Sequence, residues 1–124
     1  MDEQVRKQKS VIGLHILGEV YTKEISTLNN FSSVRDTIVE SVAKAGLSQV
    51  GTAEHVFPEG GFTFVILLAE SHLSIHTWPE LGYLNMDVFV CNVSKDNSVA
   101  ARNLFDSVAE LFRPYEVVKR EVIR

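Results

Sequence analysis

The stretch "FPEGGFTFVILLAESHLSIHTWPE", residues 57–80, decides the fold because it predicts two successive strands and the turn before them. Residues 62–69 are aliphatic and aromatic, which favours a strand, and residues 70–78 continue as a second strand with almost no break. Before them, "PEGG" at residues 58–61 is a strong turn signal. This turn joins residues 62–69 to an earlier predicted strand at residues 48–57.

The flanking sequence predicts three further strands. Residues 11–21 are rich in β-branched and aliphatic side chains, and residues 84–91 alternate apolar and mixed positions with a period of two. Residues 115–123 form the last predicted strand. A connector is expected at residues 22–32, and a loop is expected at residues 78–82 because proline removes a ladder donor and glycine permits a tight turn.

Two helices are predicted from their ends and their apolar spacing. The first begins with a capping box formed by Ser33 and Asp36 and ends at Gly46. The second covers residues 98–113, with Asn97 as its N-cap and a proline directly after it.

The resulting order, β-α-β-β-β-β-α-β, has too few strand–helix alternations for a doubly wound sheet. It predicts an α+β fold, a two-layer α/β sandwich with a mainly antiparallel sheet and both helices on one face. Residues 11–124 form a single domain in this interpretation, after a flexible N-terminus at residues 1–10. The other sheet face must be solvated or covered, and its aliphatic content favours a homodimer packed sheet against sheet.

The composition excludes several classes of function. The chain has 124 residues with a net charge of −4, and it has no dense stripe of Lys and Arg, which argues against a nucleic-acid partner. Its longest apolar run, residues 62–69, is too short to cross a membrane. Residues 1–10 lack the apolar core of a secretory signal, and the single Cys91 cannot form an internal disulfide, so we expect a reducing, cytoplasmic setting.

Three side chains could carry chemistry. Ser71 could attack the preceding Glu70 carbonyl, convert the amide to an ester and eliminate to leave a keto group at a new chain start; the alternative is a strand-edge serine bonded to nearby backbone. His76 could move protons near neutral pH or be a structural, half-buried histidine. Cys91 could donate a proton, since an ordinary thiol is mostly protonated at neutral pH, or be a small buried apolar residue.

Two other side chains could bind a ligand. Phe57 could stack on a flat ring or fill the core, and Glu80 could bond a hydroxylated ligand or simply be solvated. A zinc site is a further alternative, but no known zinc-motif spacing links the four histidines His15, His55, His72 and His76.

The run "ESHLSIHTWPELGY" at residues 70–83, followed by "MDVFVC" at residues 86–91, closely resembles the bacterial and archaeal S-adenosylmethionine decarboxylase proenzyme family. The resemblance implies self-cleavage between Glu70 and Ser71 into a β chain of residues 1–70 and an α chain of residues 71–124, intertwined with each other. Ser71 would become a pyruvoyl group, which serves as the electron sink through a Schiff base in place of pyridoxal phosphate, with no metal. The implied product is the aminopropyl donor for spermidine biosynthesis.

The resemblance also implies a role for each site residue. His76 assists self-processing, and Cys91 returns a proton to the substrate carbon. Phe57 stacks on adenine and Glu80 binds ribose. The family builds its sites where two αβ protomers meet, which agrees with the bare sheet face expected here.

The chain departs from the family pattern before the cleavage strand. The family's usual Gly-Val-Ser-Gly turn is replaced by residues 61–64, "GFTF", so Thr63 stands in place of the second processing serine. Slower processing or a changed pocket would follow. One alternative is therefore a pyruvoyl-dependent decarboxylase of L-arginine or L-ornithine. Another is an unprocessed regulatory relative, against which the retained Glu70, Ser71, His76 and Cys91 argue.

Overall fold

The computed structural model describes residues 13–93 and 95–124. Within these ranges the chain forms six strands and three α-helices, with a short 3₁₀ turn at Pro79–Leu81. The elements in chain order are β1 (Gly13–Thr22), α1 (Ile25–Asn29), α2 (Phe31–Lys44), β2 (Gln49–Val56), β3 (Phe62–Leu68), β4 (Ser71–Trp78), β5 (Tyr83–Cys91), α3 (Ser98–Leu111) and β6 (Pro114–Ile123). The predicted flexible N-terminus and the start of the first predicted strand lie outside the described residues.

The described strands form one sheet in the order β2-β3-β4-β5-β1-β6, and every neighbouring pair is antiparallel. Strands β2 to β5 are neighbours both in sequence and in space. Strand β1 instead lies between β5 and β6, the two strands from the end of the chain. The predicted α+β sandwich with an antiparallel sheet is confirmed.

One face of the sheet is covered by α2 and α3. Alternate residues of each central strand point to this face and are fully buried, as expected for a half-covered sheet. Phe105 of α3 packs directly over Gly18 in the middle of β1, where a side chain would overlap its ring. The shared core includes Leu14, Ile16, Val20, Ile38, Phe62, Phe64, Ile66, Leu73, Ile75, Met86, Val88, Leu104, Phe105 and Val108.

The opposite face of the sheet, called the open face here, has no helix of the described residues against it. The alternate residues that face it are half-buried or exposed in β1, β3, β4 and β5. It carries apolar side chains among polar ones, including Leu67 at 51% and Val122 at 46% exposure. The predicted bare face is confirmed, while its cover by a second protomer stays a prediction.

The start of the first long helix differs from the prediction. Residues 22–32 were expected to be a connector, but they contain helix α1 and the first residues of α2. The capping-box prediction is wrong: Asn30 is the N-cap, and the Ser33 hydroxyl donates to the Asn30 carbonyl oxygen at 2.8 Å instead of capping a free N–H group. Asp36 pairs with its neighbour Arg35 at 3.2 Å.

The helix ends are closer to the prediction. Gly46 follows α2 with a φ of 81°, and the Leu47 N–H donates to the Val42 carbonyl at 3.2 Å, so the predicted glycine stop is confirmed. Asn97 is the N-cap of α3, but its side chain does not cap the helix and donates instead to the Cys91 carbonyl at 2.9 Å. None of the described helices is long and apolar enough to span a bilayer.

Candidate active site

Four predicted site residues meet in one cavity at the end of the sheet where β3 begins and β4 ends. The cavity has a volume of about 290 Å³. We call this region the pocket end. The side chains and backbone that line it belong to Phe57, Glu59, Gly60, Thr63, His76, Thr77, Trp78 and Glu80.

Thr63 and His76 are direct partners across the β3–β4 ladder at the pocket end. The Thr63 Oγ1 and His76 Nδ1 atoms share a hydrogen bond of 3.0 Å, and both residues are half-buried on the open face. The bond orients the imidazole and leaves Nε2 as its second proton-exchanging atom. Thr63 therefore makes a hydroxyl contact with the histidine despite its added methyl group.

Phe57 borders the same cavity because a tight turn holds it there. Its N–H donates to the Gly61 carbonyl at 3.0 Å and its carbonyl accepts from the Gly60 N–H at 3.1 Å. Phe57 remains 39% exposed and contacts His55 edge to face, with ring centroids 4.6 Å apart. An exposed aromatic ring at a cavity rim can stack on a flat ligand.

Glu80 and Trp78 complete this cavity from the other side. Glu80 is exposed in the 3₁₀ turn that follows β4. The Trp78 ring is stacked on Tyr83, with centroids 5.4 Å apart. The cavity thus combines aromatic rings with a carboxylate, which suits a ligand that has both a flat ring and hydroxyl groups.

Phe62 and Phe64 do not line this cavity. Both are fully buried on the covered face, where their rings contact Phe31 at centroid distances of 5.0 and 4.9 Å. Neither bulky side chain therefore enters the lining of this cavity. Strand alternation is the reason, because only Thr63 between them points to the open face.

Glu70 and Ser71 lie at the other end of β4, which we call the cleavage end. Ser71 is half-buried as the first residue of the strand, directly after the β3–β4 turn. Both residues border a second cavity of about 160 Å³, whose lining also includes Leu68, Lys95 and Asn97. The predicted nucleophile thus has free volume beside it.

Cys91 also belongs to the cleavage end. His72 of β4 pairs with Phe89 of β5, and Cys91 lies two residues beyond Phe89, at the same end of the sheet as Ser71. Cys91 is half-buried. Its carbonyl accepts from Asn97, which is only 8% exposed and borders the cavity beside Ser71.

The predicted site residues therefore form two groups within one protomer. Ser71 and His76 are five residues apart in an extended strand, which separates their Cα atoms by about 16 Å. An odd spacing also directs the two side chains to opposite faces of the sheet. The folded chain unites Phe57, Thr63, His76 and Glu80, and it keeps Glu70, Ser71 and Cys91 at the opposite end.

Sequence reasoning missed Glu59 and Trp78 as lining residues of the pocket end. Glu59 was treated as part of a turn and Trp78 as part of a loop. Both residues are close in sequence to Phe57 and Glu80, and this was the available signal. The β2–β3 and β4–β5 connections lie at the same edge of the antiparallel sheet, so their residues come together.

A histidine cluster lies on the open face near Cys91. His15 Nε2 is 3.6 Å from Asp87 Oδ2, and His15 Nδ1 is 3.3 Å from an Arg124 guanidinium nitrogen. Burial of the ring, with a smaller contribution from His15, holds the pKa of His72 below its usual value. Within residues 13–93 and 95–124, no group of three or more His, Cys, Asp or Glu side chains could hold a metal ion.

Comparison with known proteins agrees with this geometry. The profile of the S-adenosylmethionine decarboxylase family matches residues 14–124. A protein of Acetivibrio thermocellus named S-adenosylmethionine decarboxylase proenzyme is 39% identical over 115 residues, covering 93% of this chain and 90% of the relative. One of Archaeoglobus fulgidus with the same name is 36% identical over 104 residues, covering 84% and 89%.

A solved structure has the same fold. The crystal structure of the adenosylmethionine decarboxylase from Aquifex aeolicus superposes with a TM-score of 0.83 at 30% identity, covering 93% of this chain and 92% of that one. The family profile spans nearly the whole chain, these relatives are more than one-third identical to it, and the fold matches. The chain belongs to the S-adenosylmethionine decarboxylase family.

Proposed function

We propose that this chain is a self-processing, pyruvoyl-dependent decarboxylase that converts S-adenosylmethionine to its decarboxylated form, the aminopropyl donor for spermidine biosynthesis. The observation that carries this proposal is the pocket end, where Phe57, Trp78 and Glu80 surround one cavity beside the Thr63–His76 pair. These groups suit a nucleoside, because an aromatic ring stacks on a base and a carboxylate accepts hydrogen bonds from sugar hydroxyls. Membership in a family whose relatives are named proenzymes supports the self-processing.

Self-processing would begin at the Glu70–Ser71 bond. The Ser71 hydroxyl attacks the Glu70 carbonyl carbon, the Ser71 nitrogen leaves as an amine, and the amide becomes an ester. Elimination then removes the Ser71 Cα proton, breaks the Cβ–Oγ bond and frees the Glu70 carboxylate. The dehydroalanine left behind tautomerises to an imine, which water hydrolyses with loss of ammonia to a ketone at the new chain start. The cavity beside Ser71 gives this group room, and residues 72–78 keep their ladder partners after the cut.

The remaining site residues have separate tasks in this proposal. His76, oriented by Thr63, moves the proton during processing. Cys91 donates a proton to the substrate carbon that loses its carboxylate. A pyruvoyl group supplies a ketone that binds the substrate amine covalently and accepts the electrons released with carbon dioxide.

A two-fold dimer through the open face would bring the cleavage end of one protomer beside the pocket end of its partner, with Ser71 at the edge of the sheet where β4 begins. A two-fold axis between the sheets and across the strands places the cleavage end of one protomer against the pocket end of its partner. Two observations support this arrangement: the apolar residues on the open face and the separation of Ser71 from His76 within one chain. We therefore propose a homodimer of αβ protomers with shared sites.

Mixing two inactive variants tests the shared site. Ser71→Ala supplies an intact pocket end and His76→Ala supplies an intact cleavage end, so a mixed dimer regains one complete site. We expect neither variant to self-cleave alone, and the His76→Ala chain to be cut when the two are co-expressed with different tags, as intact mass would show. If the His76→Ala chain stays uncut beside Ser71→Ala, or cleaves by itself, the shared site is contradicted.

The function itself is tested by intact mass and by carbon dioxide release. We expect the purified protein to consist of two chains, divided between Glu70 and Ser71, with a blocked α chain. Carbon dioxide should be released from S-adenosylmethionine and not from L-arginine or L-ornithine. A single uncut chain without activity would favour the unprocessed regulatory alternative and contradict the proposal.

One observation favours a basic amino acid as the second candidate substrate. Glu59 lines the same cavity as Glu80, which gives the pocket end two carboxylates, and paired carboxylates suit a guanidinium or ammonium group. Release of carbon dioxide from L-arginine or L-ornithine alone would establish this second function.

A further inference from the structure

Helix α1 contacts the base of the turn that carries Phe57. We call residues 57–61 the pocket turn. The side-chain oxygen Oδ1 of Asn29, the last residue of α1, accepts a hydrogen bond from the Gly61 N–H at 3.0 Å. The pocket turn is thus linked to a helix far from it in sequence.

A second link joins α1 to the strand next to the pocket turn. The Thr77 hydroxyl donates to the Leu28 carbonyl at 2.8 Å and accepts from the Phe62 N–H at 2.9 Å. Thr77 is 5% exposed and Leu28 is fully buried, so this link is anchored in the core. Together the two links attach both the end of the pocket turn and the start of β3 to α1.

The backbone of the pocket turn is also tightly confined. Gly60 and Gly61 have φ angles of 117° and 95°, which favour glycine. A Cβ on Gly60 would lie 2.7 Å from Asn29 Oδ1, and one on Gly61 would lie 2.9 Å from the Thr77 carbonyl oxygen. The pocket turn therefore packs against α1 and β4 at distances that leave no room for a side chain at either glycine.

We propose that Asn29 is a positioning residue for the substrate, because its side chain fixes the pocket turn and thereby the wall formed by Phe57 and Glu59. This inference rests on the proposed function, in which Phe57 contacts a part of the substrate that does not react. If the pocket turn were not held in place, the substrate would have to order it on binding, and the conformational entropy lost would weaken substrate binding. The Thr63–His76 pair is held by the β3–β4 ladder and does not depend on Asn29.

The position of Asn29 makes the inference testable without disrupting the core, because Asn29 is exposed. Asn29→Leu keeps the approximate size of the side chain but removes the oxygen that accepts from the Gly61 N–H. Asn29→Asp keeps both the size and an accepting oxygen. Asn30→Ala is the matched control, since the side-chain oxygen of the neighbouring Asn30 accepts from the exposed Ser32 hydroxyl at 2.9 Å, where that of Asn29 accepts from the pocket turn. Asn29→Ala provides the same test without adding an apolar side chain.

We expect two results from Asn29→Leu. Amide hydrogen exchange within residues 57–61 should become faster, and KM for S-adenosylmethionine should rise about three- to tenfold, the range for one hydrogen bond, with kcat and self-cleavage unchanged. A rise in KM at constant kcat indicates lost binding of the unreactive part of the substrate. Asn29→Asp and Asn30→Ala should both stay within about twofold of the wild-type KM.

The opposing outcomes are distinct. Unchanged exchange in residues 57–61 overturns the inference whether or not the protein is active. Faster exchange with an unchanged KM, or a fall in kcat alone, overturns the role in substrate positioning. A wild-type protein that releases no carbon dioxide from S-adenosylmethionine contradicts the proposed function, while the exchange result still decides whether Asn29 holds the turn.

Discussion

Ser71→Ala is expected to produce one full-length polypeptide with no decarboxylase activity. Alanine has no oxygen to attack the Glu70 carbonyl, so neither the ester nor the ketone can form. The loss should be complete, because no other side chain can supply a ketone at this chain start. Intact mass would measure the cleavage, and carbon dioxide release from S-adenosylmethionine would measure the activity.

Ser74→Ala is the control for this variant. Ser74 lies on the same strand, is half-buried on the open face and pairs with Val65 and Asp87, away from the cleaved bond. This variant should cleave normally and keep its decarboxylase activity. An active Ser71→Ala protein, or one cut between residues 70 and 71, would refute the pyruvoyl mechanism.

Gly18→Ala is expected to cause a large loss of stability from a single added methyl group. The new Cβ would overlap the Phe105 ring, which is 1% exposed and enclosed by the core. The ring cannot move without displacing its neighbours, so we expect the free energy of unfolding to fall by about 1–3 kcal/mol. Urea denaturation of the Ser71→Ala protein with and without Gly18→Ala would measure this, because that background unfolds as one uncut chain.

Gly51→Ala is the matched control on strand β2. A Cβ there would lie 3.5 Å from Leu67 Cδ1, an ordinary van der Waals contact at the sheet edge. Its free energy of unfolding should stay within about 0.5 kcal/mol of the parent. Equal stability of the Gly18 and Gly51 variants would show that Phe105 can repack freely, contrary to our expectation.

The strands were predictable because their patterns are local. The alternation of residues 84–91 and the "PEGG" turn each indicate a strand or a turn within a few residues.

Helix α1 was missed because five residues are too few to show a helical period. The capping box was misassigned because a serine followed three residues later by an aspartate also occurs one turn inside a helix, where Ser33 bonds back to Asn30.

The position of β1 in the sheet could not be predicted in the same way. Its pairing with β5 and β6 joins residues on opposite ends of the chain, and no local pattern specifies that order. The sequence identified candidate site residues one by one, but their division between two ends of the sheet was not drawn from it. The spacing of Ser71 and His76 contained that information, because five residues of extended strand span about 16 Å.

The place of β1 in the sheet has a consequence for the lifetime of the protein. A cut after Glu70 would leave β1, β2 and β3 on one fragment and β4, β5 and β6 on the other, with β1 held between two strands of the second fragment. The uncut chain folds in a first-order reaction, whereas two separated fragments must first collide, so their refolding slows with dilution. The proposed cut would remove the covalent connection that makes assembly independent of concentration, so a cut molecule that unfolds would refold only as fast as its two fragments meet.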